Sequence, residues 1–282
     1  MPWFQVRRVY KWKGRGRMIY SPDIDPVALA LGPLKIHWYG LGYLFGFLAA
    51  WWLGKRRARQ GFFAIKEEQV DDLVLYGALG IMLGGRIGYV LFYHFEYFLQ
   101  NPLWLFKVNE GGMSFHGGAL GYIIATYFYA KKIGSPYGSL LNFVVSVSPI
   151  GIGLVRCTNF INQELWGRVT DVPWGMIFTR DPEQLVRHPS QLYEAFFEGV
   201  VLFFVMHYMT RKAQPPYSIA GVFLVLYGVF RFFIEFFREP DRHLGLELFG
   251  WMTRGQELTI LVILLGMFFL GLAYRARKGS VA

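Results

Sequence analysis

The chain has 282 residues, of which 54% are hydrophobic, 19% are aromatic and only 17% are charged, and its mean hydropathy is +0.31. These values exclude an ordinary soluble domain and are typical of a protein with several helices in a membrane. The single cysteine, Cys157, excludes an internal disulfide, a CxxC motif and a thiolate metal cage. The net charge is +10, but six cations lie in the first 17 residues and the rest of the chain carries only +4, so the charge does not indicate nucleic-acid binding.

Seven segments are apolar and long enough to cross a bilayer as helices, which takes about 20 residues. They cover residues 34–54, 72–93, 115–130, 138–158, 191–209, 219–237 and 256–274. The sequence therefore predicts an all-α polytopic membrane protein with seven transmembrane helices. The outer loops are long enough to form a small cap.

The distribution of lysine and arginine predicts the orientation of the chain. The short loops after the first, third and fifth helices and the C-terminal tail are basic, whereas the alternate loops mix acids with bases. Because basic loops stay on the inner side, we expect the N-terminus outside and the C-terminus inside. Six cations in residues 1–17 contradict this orientation, so we predict that translation naturally starts at Met18 or that this extension is disordered. The predicted domains are this extension, a seven-helix domain at 18–276 and a tail at 277–282.

The sixth predicted helix carries a polar stripe. Tyr227, Arg231, Glu235 and Arg238 follow one another at i, i+4, i+8 and i+11, which places them on one helical face. A charge inside a membrane costs about 2.5–3.5 kcal/mol on insertion scales, so such residues are functional candidates. We expect Arg231 and Glu235 to pair. The alternative is a buried ion pair that only fixes helix packing.

A second polar cluster ends the fourth predicted helix. Arg156, Asn159 and Gln163 are expected on one helical face, with Asn162 beside it, and Trp166 is typical of an interfacial anchor. Arginine presents a planar donor fork that suits a phosphate group. The cluster therefore predicts a lipid head-group site at the outer interface. Ion conduction is the alternative, although a channel usually shows rings of one charge type.

In the fifth predicted helix, Gln191, Glu194 and Glu198 share a face at i, i+3 and i+7. Pro189 or Ser190 is expected to start this helix, which would place Glu194 in its first turn. The sequence leaves two roles open for Glu194, namely helix capping and direct function.

Glycines predict close helix packing in the second helix. Gly80, Gly84 and Gly88 repeat every four residues, a spacing that lets another helix approach, and Arg86 lies among them. In GGMSFHGGALG, His116 lies between glycine pairs at the start of the third helix. Imidazole titrates near neutral pH, so His116 is a candidate base. The sequence contains no P-loop, HExxH or complete GxGxxG, and no cofactor or metal is predicted.

Several of these segments together resemble the bacterial prolipoprotein diacylglyceryl transferases over nearly the whole chain, from about Met18 to about Ala276. The resemblance is carried, in the family's order, by IHWYG (36–40), GGRIGYVLFY (84–93), GGMSFHGG (111–118), NFINQELWGR (159–168), RHPSQLYE (187–194) and YGVFRFFIEFFREPD (227–241). It implies seven membrane helices with a periplasmic head in the bacterial inner membrane. It also implies the transfer of diacylglyceryl from phosphatidylglycerol to the lipobox cysteine of a prolipoprotein, with no nucleic acid as a partner.

The resemblance assigns roles to residues of this chain. Arg156 and Arg231 are expected to hold the leaving phosphate, and His116 is expected to be the catalytic base, unless the field of Arg156 alone activates the thiol. The expected substrate-binding residues are Tyr39, Arg86, Asn159, Asn162, Glu164, Gly167, His188, Gln191, Tyr227, Glu235 and Arg238. The alternative function is a membrane lipid-binding protein or transporter without transferase activity, for which we find no paired repeats.

Overall fold

The computed structural model of the chain describes residues 19–32, 34–107, 111–240 and 252–279. The predicted N-terminal extension, most of the last outer loop and the end of the tail lie outside these residues. The chain forms two compact units. The first contains the segments up to Leu48, Ser148–Val205 and Gly221–Phe268. The second contains Ala49–Val147, Met206–Ala220 and the segment from Phe269 onward.

Each of the seven predicted apolar segments coincides with a helix, so the prediction of a mainly helical fold is confirmed. The long helices are α1 (Trp38–Ala58), α2 (Gln69–Tyr93), α4 (Phe115–Lys132), α5 (Tyr137–Ile161), a composite helix Ser190–Met209, α8 (Ser218–Ile234) and α9 (Arg254–Gly279). A short helix α3 (Phe95–Gln100) and a 3₁₀ turn (Pro102–Phe106) follow α2. By length and hydropathy, four helices are able to span a membrane, at Gln69–Tyr93, Tyr137–Ile161, Ser190–Met209 and Arg254–Lys278, and α8 is a shorter apolar helix.

The composite helix contains an irregular segment. It begins as α6 (Ser190–Glu194), continues as a π-helical segment (Ala195–Val201) and ends as α7 (Leu202–Met209). Pro189 precedes its first residue, as predicted. π-Helical segments widen the backbone spiral and occur frequently at functional sites. This segment carries Glu198, whose side chain is completely buried.

Short strands, which the sequence did not predict, accompany the helices of the first unit. β1 (Ile19–Tyr20) pairs in parallel with β4 (Met176–Ile177), and β4 pairs antiparallel with β5 (Val186–Arg187). β2 (Val27–Leu31) and β3 (Leu34–His37) form an antiparallel hairpin. Because β3 occupies residues 34–37, the first helix begins four residues later than predicted, and Tyr39 lies in its first turn.

In the second unit, α2 and α4 pack through their glycines. A β-carbon on Gly80 would lie 2.6 Å from the carbonyl oxygen of Gly121, and one on Gly88 would lie 2.8 Å from the α-carbon of Gly117. Distances below 3.0 Å to backbone atoms are not compatible with a side chain. The predicted packing role of the Gly80, Gly84 and Gly88 repeat is therefore confirmed.

Candidate functional site

The first unit contains a buried group of six charged side chains, called here the arginine–glutamate cluster. Four elements and the segment after α8 contribute to it. Its members are Arg156 in α5, Glu194 in α6, Glu198 in the π-helical segment, Arg231 in α8, and Glu235 and Arg238 immediately after α8. The cluster joins residues that lie up to 82 positions apart in the sequence, so it depends on the packing of these helices against one another.

Glu194 is the centre of the cluster. Its Oε2 lies 2.8 Å from Nε of Arg156, and its Oε1 accepts a hydrogen bond from Nη1 of Arg231. Nη1 of Arg238 lies 3.7 Å from the same Oε1. Arg231 also forms the predicted pair with Glu235, with 3.0 Å between Nη2 and Oε2. One carboxylate therefore fixes three guanidinium groups at one place.

Glu198 is held less closely than the other two carboxylates. Its Oε2 lies 3.6 Å from Nε of Arg156 and its Oε1 lies 3.9 Å from Nη1 of Arg231. Neither oxygen accepts a hydrogen bond from any described residue. In contrast, Oε1 of Glu235 accepts a hydrogen bond from Oγ1 of Thr253. With three arginines and three glutamates, the cluster is electrically neutral when all six groups are ionised.

The two kinds of side chain in the cluster differ in exposure. The arginine side chains remain 13–18% exposed, whereas those of Glu194 and Glu198 are 1% and 0% exposed. The guanidinium groups therefore lie on the accessible side, and these two carboxylates lie behind them. An anion that approaches from the accessible side meets the arginines first.

Two tyrosines that the sequence suggested as substrate-binding residues lie near members of the cluster. Tyr227 is within electrostatic range of Glu198, Arg231 and Arg156. Tyr39 is within electrostatic range of Glu164 and Arg156, and its hydroxyl lies 3.2 Å from that of Tyr43. Both phenols are thus able to donate to a ligand held by the arginines.

The segment after α5 brings further predicted residues together. Nδ2 of Asn159 donates to Oε1 of Glu164 at 2.7 Å, and Nε2 of Gln191 donates to the carbonyl oxygen of Glu164 at 2.6 Å. The Oδ1 atoms of Asn159 and Asn162 are buried and accept no hydrogen bond from the described residues. These two acceptors are available to a ligand hydroxyl.

The expectation that Gln163 shares a face with Arg156 and Asn159 was wrong. Helix α5 ends at Ile161, and Gln163 has a φ of 52°, in the left-handed region, so helical spacing no longer applies there. Its Oε1 instead accepts hydrogen bonds from Oγ1 of Thr179 at 3.1 Å and from the backbone N–H of Arg180 at 3.3 Å. Gln163 therefore ties two loops together.

An open cavity of about 650 Å³ lies next to these residues. Three of its lining residues, Tyr39, Asn162 and Glu164, were predicted to bind substrate. The other lining residues are Lys35, Ile36, His37 and Gly40. Lys35 and His37 were not among the predicted site residues, although both lie within four residues of Tyr39.

Gly167 and His188 make contacts within the protein. Gly167 forms a β-bridge with Arg238, and its N–H donates to the carbonyl oxygen of His188 at 2.8 Å. A β-carbon on Gly167 would lie 2.6 Å from that of His188. His188 Nδ1 lies 3.1 Å from the hydroxyl of Tyr193, and burial lowers the pKa of His188 although Asp171 opposes the shift. These contacts brace the segment after α8 that carries Arg238.

Arg86 and His116 belong to the second unit. Arg86 is 3% exposed, and its guanidinium donates to the carbonyl oxygens of Leu105 at 3.0 Å and Trp104 at 2.6 Å. It also lies 4.5 Å above the Trp104 ring. Its contacts in this unit thus hold the segment after α3, and its binding of substrate stays a prediction. His116 is exposed in the first turn of α4, and its role as a base likewise stays a prediction.

The sequence left a functional role of Glu194 open, and Glu198 was not selected as a site residue. The sequence signal that could have identified both glutamates is the helical face that they share with Gln191 at i, i+3 and i+7. The structure replaces the capping interpretation of Glu194, because its carboxylate contacts arginines from two other helices. In the described part of the chain, no group of three or more His, Cys, Asp and Glu side chains is arranged to hold a metal ion.

Comparison with known proteins identifies the family. A family model described as prolipoprotein diacylglyceryl transferase matches residues 26–272. A relative from Teredinibacter turnerae is 52% identical over 268 residues, which cover 92% of this chain and 93% of the relative. A relative from Coxiella burnetii is 52% identical over 93% of this chain and 100% of its own length. A relative from Acinetobacter baumannii is 52% identical over 92% of this chain and 96% of its own length. All three relatives are named phosphatidylglycerol–prolipoprotein diacylglyceryl transferase. The chain therefore belongs to the prolipoprotein diacylglyceryl transferase family.

Proposed function

We propose that this chain transfers the diacylglyceryl group of phosphatidylglycerol to the thiol of the lipobox cysteine of a prolipoprotein. The thiol sulfur forms a bond to the glycerol carbon, the bond from that carbon to the phosphate oxygen breaks, and glycerol phosphate leaves. The names of the relatives support this activity. The observation that carries it is that Arg156 and Arg231, from different helices, converge on Glu194 and keep a partly exposed face.

The two arginines bind the phosphodiester and stabilise the charge of the leaving group. As the carbon–oxygen bond breaks, the phosphate gains a second negative charge. Guanidinium groups that are already oriented stabilise this charge without reorganisation, and they act most strongly where water is scarce. Glu194 supplies the orientation, because its contact with both arginines holds them in place before substrate arrives. Glu235 fixes the rotamer of Arg231.

The cavity beside Tyr39 receives the polar part of the lipid. Asn162 and Glu164 line it, and Asn159 is hydrogen-bonded to Glu164. The unpaired carbonyl oxygens of Asn159 and Asn162 accept hydrogen bonds from the glycerol hydroxyls of the head group. Tyr39 and Tyr227 donate to phosphate or glycerol oxygens. Arg238, Gln191, Gly167 and His188 keep this arrangement in place.

The thiol becomes nucleophilic when it loses its proton, and the enzyme needs no cysteine of its own. We assign the removal of this proton to His116, whose side chain is exposed at the start of α4. The positive field of Arg156 is the alternative means of activation. No cofactor or metal takes part in this mechanism.

We further propose that the chain lies in the bacterial inner membrane with seven transmembrane helices. Seven helices coincide with the seven predicted segments, and the basic loops assign the N-terminus to the outside and the C-terminus to the cytoplasm. The outer loops are proposed to form a small periplasmic cap. The seven-helix domain comprises residues 18–276.

Incubation of the purified chain with labelled phosphatidylglycerol and a lipobox peptide tests this function. We expect a diacylglyceryl thioether on the cysteine and an equal amount of glycerol phosphate. The matched control is the same peptide with serine in place of the cysteine, which should give no product. Tight binding of phosphatidylglycerol without thioether product would contradict the transferase and favour a lipid-binding protein.

A further inference from the structure

Glu198 is a buried carboxylate that the mechanism above does not use. Its side chain is 0% exposed, and no described residue donates a hydrogen bond to either oxygen. The carboxylates of Glu194 and Glu235 each accept at least one hydrogen bond, from Arg231 and from Thr253. A buried carboxylate without hydrogen bonds is stabilised in its charged form only by nearby cations. Glu198 is therefore the acid of the cluster that depends most on the arginine charges.

The charged groups around Glu198 come from three helices and from the segment after α8. Arg156 lies on α5, Arg231 on α8, Glu194 on α6 and Arg238 after α8, and Tyr227 lies within electrostatic range. Glu194 lies closer than Glu198 to the same two arginines, with 2.8 Å against 3.6 Å at Arg156. Glu198 thus shares its cations with a nearer competitor of the same charge, which disfavours its ionised form.

A bound phosphodiester changes the charge balance of this site. Without ligand, three arginines balance three glutamates. One phosphodiester adds one negative charge and takes up donors of Arg156 and Arg231, the cations closest to Glu198. The site would then hold one uncompensated negative charge in surroundings poor in water, which is strongly unfavourable. A proton on one carboxylate removes this excess.

We propose that Glu198 takes up a proton from solvent when a phosphodiester lipid binds to Arg156 and Arg231. Its carboxylate becomes a neutral carboxylic acid, and the occupied site stays electrically neutral. Glu198 is then a positioning residue that couples lipid binding to protonation. This inference rests on the proposed function, because it needs the phosphate at these two arginines.

The test measures protons taken up per phosphatidylglycerol bound, by calorimetry of the full chain in detergent with buffers of different ionisation enthalpy. For the wild type at neutral pH we expect up to about one proton per lipid, and a dissociation constant that rises by up to about tenfold per unit of increasing pH. Glu198→Gln should take up no proton and should show a dissociation constant that hardly changes with pH. Glu183→Gln is the matched control, because its carboxylate is 49% exposed and lies outside the cluster. It should behave like the wild type.

Binding of phosphatidylglycerol by the wild type without proton uptake would overturn the inference, whether or not Glu198→Gln folds. Equal uptake by the wild type and a folded Glu198→Gln would also overturn it. The proposed function fails in a different way, through absence of thioether product. Proton uptake that disappears only in Glu198→Gln supports the inference even when transfer is not measured.

Discussion

Two buried sites of the first unit are both built from arginines and carboxylates and differ in how completely their groups are paired. Arg187 is 2% exposed, and its Nε donates to Oδ2 of Asp181 at 2.6 Å. The two oxygens of Asp181 also accept hydrogen bonds from the backbone N–H groups of Glu183 and Leu185 at 3.1 and 3.3 Å. Nη2 of Arg187 donates to Glu183 at 2.7 Å. The Arg187–Asp181 pair is therefore inaccessible, and both carboxylate oxygens of Asp181 accept hydrogen bonds.

The arginine–glutamate cluster is different in both respects. Its arginines keep 13–18% exposure, and both oxygens of Glu198 lack hydrogen bonds from the described residues. A satisfied and inaccessible ion pair fixes a loop, whereas an accessible cluster with unmet hydrogen-bonding capacity is suited to a ligand. Burial of charge alone therefore does not distinguish a structural site from a functional one.

The largest expected effect concerns stability and the Arg187 site. Arg187→Ala leaves Asp181 buried without its cation, and breaking a buried pair in this way costs about 3–5 kcal/mol. We expect a much lower unfolding temperature in detergent, with the transfer rate per folded molecule largely kept. Arg275→Ala, which removes an exposed arginine of α9, is the control. An unchanged unfolding temperature for Arg187→Ala would show that the comparison between the two sites is wrong.

The next largest expected effect concerns the transfer rate and the arginine–glutamate cluster. Arg156→Ala and Arg231→Ala each remove one donor to the leaving phosphate, so we expect the transfer rate to fall by roughly 10²–10³-fold, as for the loss of an oxyanion donor. Both variants should still insert into the membrane. The measurement is thioether formation by equal amounts of purified protein. Normal transfer by either variant would remove that arginine from the proposed clamp.

A smaller loss of transfer rate is expected when residue 156 keeps its positive charge but loses the planar guanidinium group. Arg156→Lys retains a cation but loses the planar fork that binds two phosphate oxygens. We therefore expect transfer above that of Arg156→Ala and well below that of the wild type, when the three proteins are compared at saturating peptide. Full activity of Arg156→Lys would mean that a point charge is sufficient.

The smallest expected effect is the pH dependence of stability through His188. Burial lowers the pKa of folded His188 below its unfolded value of about 6.5, so below that pH the unfolded chain binds more protons. Stability should therefore fall as the pH is lowered from about 6.5. His188→Gln should lose part of this dependence in unfolding temperatures measured between neutral and mildly acidic pH. An identical pH profile for both proteins would count against a neutral, buried His188.

The long helices were predictable because each depends on a local apolar segment of sufficient length. The strands were not, since β1 contains two residues and pairs with β4, which lies 157 positions further along the chain. The first helix was placed too early because the predicted segment was counted from Leu34, although Leu34–His37 forms a strand.

The site was predictable where it follows helical spacing. The Arg231–Glu235 pair lies at i, i+4 and is present at 3.0 Å. The role of Glu194 was not predictable in the same way, because its partners lie on other helices and no periodic pattern records that contact. Gln163 was misplaced because nothing in its neighbourhood showed that α5 ends at Ile161.

The central claim is that Arg156 and Arg231 hold the phosphate of the lipid substrate. A structure of the chain in a lipid bilayer with bound phosphatidylglycerol tests it most directly. We expect phosphate oxygens within hydrogen-bond distance, roughly 2.7–3.2 Å, of both guanidinium groups. A transfer-competent complex in which the phosphate lies away from both arginines would contradict the account.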